Sequence, residues 1–399
     1  MSHRRVAILG GGPVGLECLL RLRRAGWTAA LYEKGRVGES VRRWGHVRMF
    51  SPWRMNVSEA GREMVGRDRI DPDALPTGHE YVARYLEPLA AHPLLADHIH
   101  DRTEVVALSR GSLLKGEEIA SGERGTPSFR ILLREARGEH VETADVVVDA
   151  TGTFTTHNWL GPGGIPAVGE RTASGVEYRL PDMGGRERTR FAGRRTLVVG
   201  AGHSAATAIA ALEAVAREAR GTRVLWLTRT TDERPVKEVP GDPLVERARI
   251  AGAANRVAAD GEGWLDRLPG ACVHELGRED REFRVEVGGD GPERSIAVDR
   301  ILALVGYRPD PAIARELQVQ TCWATEGTYP LAAALLAQAE GAADCLTAGA
   351  GLDAATLRHP EPRFFTLGAK SYGRNPNFLL HTGFRQVEEV FEQLRSEMA

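Results

Sequence analysis

The sequence predicts an α/β protein of two similarly built domains, the second inserted within the first, each with a parallel sheet opened by a strand–turn–helix–strand unit. Three observations predict it. An apolar run, Val6-Ala7-Ile8-Leu9, enters a glycine turn over residues 10–15, and the same order of features recurs where Thr196-Leu197-Val198-Val199 enters residues 200–205. Two further passages, 145–154 and 298–310, share an acid, an apolar strand, a glycine turn and an aromatic residue, marking where the chain leaves the first domain and returns to it. The expected division is 1–160 and 301–399 for the outer domain and 161–300 for the inserted one, with residues 161–166 and the region of Asp310-Pro311 as linkers.

Composition bounds the function. With 399 residues, 42% hydrophobic and 27% charged, the chain can bury two cores, and a net charge of −2 gives no electrostatic reason to expect nucleic acid or an anionic membrane as partner. Only four of the 52 basic residues are lysines, Lys34, Lys115, Lys237 and Lys370, so a lysine carries more information than an arginine. Cys18, Cys272, Cys322 and Cys345 are scattered, without the spacing of a redox dithiol or a metal site, and are expected as buried thiols. The apolar run starts close behind Met1 and no stretch nears the ~18 residues of a membrane span, so a cytoplasmic protein without metal is expected.

In the first unit the strand is followed at once by a helical stretch with Leu16, Leu19 and Leu20, then by a second strand, 28–32, ending in Glu33. Gly10 permits the tight turn, Gly12 lets backbone approach a diphosphate, and Gly15 lets helix and strand pack closely. The diphosphate would lie on the unpaired N–H groups of the helix, with Pro13 and Lys34 alongside. Glu33 is placed to accept from ribose hydroxyls, which favours a nucleotide without a 2′-phosphate.

The second unit repeats this with Gly200, Gly202, His203, Ser204 and Ala205, where the small Ala205 takes the place of a third glycine. Its returning strand, 223–228, ends without an acid and is followed by Arg229, which favours the 2′-phosphate of NADPH. His203, at the helix N-terminus, is expected on the diphosphate.

These motifs, with Ala150-Thr151-Gly152, Gly306-Tyr307-Arg308-Pro309-Asp310 and the segment Leu367-Gly368 ahead of a final helix, resemble the two-dinucleotide-binding-domain flavoproteins. That superfamily contains thioredoxin reductases, flavin-containing and Baeyer–Villiger monooxygenases and amine N-hydroxylases, and the resemblance covers nearly the whole chain. It implies two Rossmann-like domains, FAD at the first site and NADPH at the second, with Thr151, Gly152 and Gly368 on the FAD. A Gly-Asp pair usual near the C-terminus of this superfamily is here Gly368-Ala369-Lys370. Residues 383–386, with Phe384, are expected to begin the helix aimed at the flavin, and Lys370 could neutralise flavin or substrate charge or be a solvated lysine.

The lack of a dithiol disfavours disulfide reduction through the chain's own cysteines. Residues 43–53 resemble the stretch behind the FAD ribose strand in flavin-containing monooxygenases. There Arg43, His46 and Arg48 are candidates for the FAD diphosphate, Trp44 and Trp53 for the flavin, and Asn56 for the reacting oxygen or substrate. The expected activity is NADPH-dependent transfer of one oxygen atom from O₂, by way of a C4a-peroxyflavin, to a small nitrogen, sulfur or carbonyl compound, with Trp53, Asn56 and Lys370 as catalytic candidates. The alternative is a flavin reductase passing electrons to a protein or disulfide acceptor. The sequence leaves a homo-oligomer open.

Overall fold

The computed structural model describes residues 4–260, 263–289, 291–339 and 353–397, and these divide into two compact units. The first comprises residues 1–156 and 308–399, the second 157–307. Residues 161–166 therefore lie within the second unit.

In the first unit, β1 (Arg5–Leu9), β2 (Thr28–Glu33) and β3 (Ile99–Asp101) lie side by side and parallel. An antiparallel meander, β4 (Glu104–Arg110), β5 (Phe129–Glu135) and β6 (Gly138–Ala144), precedes β7 (Val146–Asp149), which returns to pair with β1 on its other side. The strand Phe364–Thr366, from the far end of the chain, completes five strands by pairing with β7.

The second unit repeats the plan. There β8 (Val176–Glu177), β9 (Arg195–Val199), β10 (Arg223–Thr228), β11 (Leu265–Pro269) and β15 (Arg300–Ala303) form a parallel sheet, and β12 (Ala271–Glu279), β13 (Glu282–Gly289) and β14 (Arg294–Val298) form the meander. β15 stands to β9 as β7 stands to β1, which is the structural content of the repeated passages read in the sequence.

The parallel strands read as continuous apolar runs because both faces are covered. Val6, Ile8, Val146 and Val148 pack toward α1 (Pro13–Arg24), while Ala7, Leu9 and Val147 face the meander residues Phe129, Ile131 and Leu133. In the second unit α2 (His203–Glu218) follows the glycine turn, α3 (Val245–Asp260) packs beside it, and Leu197, Val199, Ile301 and Ala303 meet Val273, Phe283 and Val285 of the meander. The first unit is closed by α4 (Tyr329–Ala339) and by α5 (Leu380–Ser396), which lies against α1.

No described helix is long and apolar enough to cross a membrane. Cys18 is buried, Cys272 and Cys322 are half-buried, and Cys345 lies outside the described residues.

Candidate functional site

The two glycine turns are anchored by the same backbone bond. The Gly10 N–H donates to the Tyr32 carbonyl at 2.8 Å and the Gly200 N–H to Leu227 at 3.0 Å, each tying the turn to the second strand of its unit. Both glycines have positive φ, +102° and +127°, and both press on the neighbouring strand end: a Cβ would stand 2.6 Å from the Ala150 carbonyl oxygen at Gly10 and 2.4 Å from that of Leu304 at Gly200. Gly15 is set 2.0 Å from the Gly10 oxygen by the same measure, so a larger residue cannot stand there, whereas the second unit accommodates Ala205, fully buried, at the corresponding place.

Gly12 and Gly202 are different. Each is the N-cap residue of its helix, with extended backbone and no side-chain capping bond, and a Cβ on either would meet nothing within 4 Å. The first-turn amides of α1 and α2 thus lack a capping side chain and face open space, at the positive end of a helix dipole. No acidic side chain sits in the first turn of either helix. This is the arrangement that a diphosphate fits, and the residues present at both turns fit a dinucleotide.

The units diverge at the end of the second strand. Glu33 is half-buried; its Oε2 accepts the Gly11 N–H at 2.7 Å and its Oε1 the Gly35 N–H at 2.8 Å, which fixes the carboxylate beside the first turn with lone pairs remaining for ribose hydroxyls. Lys34 next to it is exposed. In the second unit Thr228 stands there, its hydroxyl donating to the Thr230 carbonyl at 3.0 Å, and Arg229 follows, exposed. His203 is the first residue of α2 and Ser204, beside it, is exposed. Burial, then the charge of Arg247, lowers the pKa of His203 and favours the neutral ring. Arg247 is itself held by Asp242 through two contacts of 2.7 Å.

Around the first turn, Thr151 and Gly152 follow β7, and the Thr151 hydroxyl donates to Asp149 at 2.6 Å. Gly368 is buried, its N–H donating to Gln386 of α5 at 2.8 Å. Lys370 is also buried rather than solvated and pairs with Asp149 at 2.6 Å. The polar side of this strand pair continues in His359, whose Nε2 lies 3.0 Å from the Thr366 hydroxyl; burial lowers its pKa to about 4, so the ring is neutral.

Several expected residues stand elsewhere. Trp53 is 1% exposed and packs on Tyr81 with ring centroids 5.6 Å apart. Asn56 is equally buried; its Nδ2 donates to the Ser51 and Pro52 carbonyls at 2.9 and 3.0 Å, and its Oδ1 accepts the Ser51 hydroxyl at 2.8 Å. Both N–H groups of the Asn56 amide are engaged within the core, which leaves neither residue a surface for a reacting group. The cause is local: Pro52 opens a single helical turn, Trp53–Asn56, that points both side chains inward.

Arg43 and Arg48 are exposed, and Arg48 donates to the Leu75 carbonyl at 2.6 Å. Trp44 is half-buried, packing over Gly78 and 6.4 Å from the Phe154 ring, with His46 half-buried beyond it. The final helix begins at Leu380, not Gly383, and Gly383 lies inside its first turn, where a Cβ would come within 2.6 Å of Val14 and 2.9 Å of Phe378. Phe384 is therefore in the second turn of α5, half-buried.

The family model described as pyridine nucleotide-disulphide oxidoreductase matches residues 7–332 of this chain. No curated protein matches it in sequence. Among solved structures it is similar to the bacillithiol disulfide reductase of Bacillus cereus, with 18% identity, 99% of each chain covered and a TM-score of 0.71. It is similar also to an ornithine N-hydroxylase of Kutzneria sp. 744, with 16% identity, 99% of this chain and 100% of that one covered and a TM-score of 0.66. A mutant flavin monooxygenase from Stenotrophomonas maltophilia is 20% identical over 100% of both chains, with a TM-score of 0.60. At these identities the likeness is one of fold.

Proposed function

We propose, from the premise that the chain belongs to the pyridine nucleotide-disulphide oxidoreductase family, that it is an NADPH-dependent FAD enzyme that transfers one oxygen atom from O₂ to a small nitrogen, sulfur or carbonyl compound. The observation that carries the cofactor assignment is the pair of similar turns, each with an uncapped helix N-terminus behind an open glycine, the first bonded to the carboxylate of Glu33 and the second in a unit whose second strand is followed by exposed Arg229. A carboxylate accepts from free ribose hydroxyls and repels a 2′-phosphate, whereas a guanidinium pairs with one. FAD at the first turn, when bound, supplies hydride acceptance from NADPH and reaction of the reduced ring with oxygen. The chain's contribution is to hold the two diphosphates on the α1 and α2 amides, to select the cofactors through Glu33 and Arg229, and to carry neutral His203 at the second helix.

Oxygen as electron acceptor is supported by the cysteines. None is spaced as a dithiol, and the Cys18 thiol lies in the core, where burial pushes its pKa up to about 12. Cys322 favours a second reading, reduction of a disulfide. It is half-buried, and the Thr325 hydroxyl, followed by backbone amides of Thr325 and Ala324, holds its thiol below the usual range.

The test supplies the FAD-loaded protein with NADPH and ¹⁸O₂ while amines, thioethers, ketones and disulfides are screened. Label in a product establishes oxygenation. NADPH oxidation that requires a disulfide, proceeds without O₂ and is lost in Cys322→Ser establishes the second reading instead.

A further inference from the structure

Lys370 is held as a buried ligand-contacting cation is held. It is 7% exposed, and its Nζ donates to Asp149 Oδ2 at 2.6 Å and to the Thr151 hydroxyl at 3.0 Å, two of three N–H groups. Asp149, 1% exposed, is occupied on its other oxygen by the N–H and hydroxyl of Thr151, at 3.1 and 2.6 Å. The lysine is thus fixed in place by a carboxylate that has been orientated for it, and among the described residues its third N–H has no acceptor. A buried ammonium with an unengaged N–H carries a desolvation cost that a further acceptor would offset.

Two of the segments around Lys370 abut the first turn and its helix. Thr151 abuts Gly10: a Cβ on Gly10 would lie 2.9 Å from the Thr151 Cα. Gly368, two residues before Lys370, packs on Val14, the second residue of α1, with a would-be Cβ 3.4 Å from its methyl group. Lys370 itself lies in a short helical turn, Ala369–Tyr372, directly behind Gly368. Among the described residues the N-terminus of α1 has no acidic side chain in its first turn and no side-chain cap.

We propose that Lys370 is a cofactor-contacting residue, its ammonium held by Asp149 and Thr151 to pair with the diphosphate of FAD at the first turn. Asp149 is then a positioning residue, and a cation contacts the dinucleotide where the resembling superfamily commonly uses a carboxylate. This rests on the reading that the first turn takes FAD.

The experiment is titration of FAD into the apoprotein, followed by flavin fluorescence, at low and high salt, for the wild type, Lys370→Met, Lys370→Arg and the double variant Asp149→Asn/Lys370→Met. The double variant removes both charges together, so folding is not burdened with a lone buried carboxylate. The expected result is a Kd at least tenfold weaker in Lys370→Met and in the double variant, with less salt dependence in both, and partial recovery in Lys370→Arg. Wild-type affinity in the double variant would overturn the proposal, because Lys370 would then only neutralise Asp149. Failure of the wild type to bind FAD would overturn the reading of the first turn itself.

Discussion

The Glu33 carboxylate accepts the Gly11 N–H through Oε2 at 2.7 Å, so the acid proposed for the nucleotide ribose also braces the glycine turn proposed for the diphosphate. Its second oxygen accepts Gly35 at 2.8 Å. Glu33→Gln keeps one acceptor and loses the charge that strengthens both bonds, and Glu33→Ala loses both acceptors. We expect Glu33→Ala to destabilise the first unit by about 1.5–3 kcal/mol, the range for hydrogen bonds to a charged group, and to weaken FAD binding. Glu33→Gln should fall between Ala and wild type in both, as thermal denaturation and FAD titration will show.

The glycines separate folding from binding. Gly12→Ala and Gly202→Ala add a Cβ that meets nothing, so both variants should fold with near wild-type Tm. Gly12→Ala is expected to weaken FAD at least tenfold, and Gly202→Ala to raise the KM for NADPH without releasing FAD. Gly15→Ala, with its Cβ 2.0 Å from the Gly10 oxygen, is expected to lower Tm by itself.

A carboxylate buried in α1 makes stability depend on pH. Glu17 is 6% exposed, and burial raises its pKa above the ordinary 4.5, opposed in order by a hydrogen bond from Ser58 and by the charges of Arg21 and Arg24. The folded chain therefore holds this proton more tightly than the unfolded one. The stabilisation it contributes is complete below pH 4.5 and is lost as pH rises through the folded pKa. Glu17→Gln, which keeps a hydrogen-bonding group without the charge, should be more stable than wild type at pH 8, with the difference shrinking as pH falls toward 4.5. A Tm difference that is constant across this range would contradict the assignment.

Glu361 joins two buried guanidinium groups. Arg110 donates through Nε at 2.9 Å, Arg124 through Nε and Nη2 at 3.1 and 2.9 Å, and the Gln318 backbone N–H adds a fourth bond at 2.8 Å; the Arg110, Arg124 and Glu361 side chains are 0–1% exposed. Removing the one carboxylate leaves two cations facing each other out of water. Glu361→Gln should cost about 3–5 kcal/mol in denaturant unfolding, without changing the cofactor affinity of the protein that remains folded.

What the sequence made legible is what backbone geometry forces. A tight turn that must avoid the neighbouring strand at Ala150 or Leu304 needs glycine, and a parallel strand covered on both faces needs an unbroken apolar run, so the strand–turn–helix–strand order of both units could be read from the sequence. The placement of long side chains was not legible, because it depends on partners distant in sequence. Asp149 and Lys370 are 221 residues apart, and the only trace of their pairing is a carboxylate at the end of an otherwise apolar strand. Trp53 and Asn56 are in the core through the turn that Pro52 starts, and Gly383 proves to be a packing glycine against Val14 inside α5 rather than the residue that starts it. Aromatic and amide residues near a cofactor motif carry no mark in the sequence of which way they face.

That one chain holds both an electron donor site and a flavin site is tested most directly by anaerobic titration of the FAD-loaded protein with NADPH. One equivalent of NADPH is expected to bleach the oxidised flavin band, NADH to do so more weakly, and Arg229→Ala to narrow the gap between them. A flavin band untouched by NADPH, in protein shown to retain FAD, would contradict it.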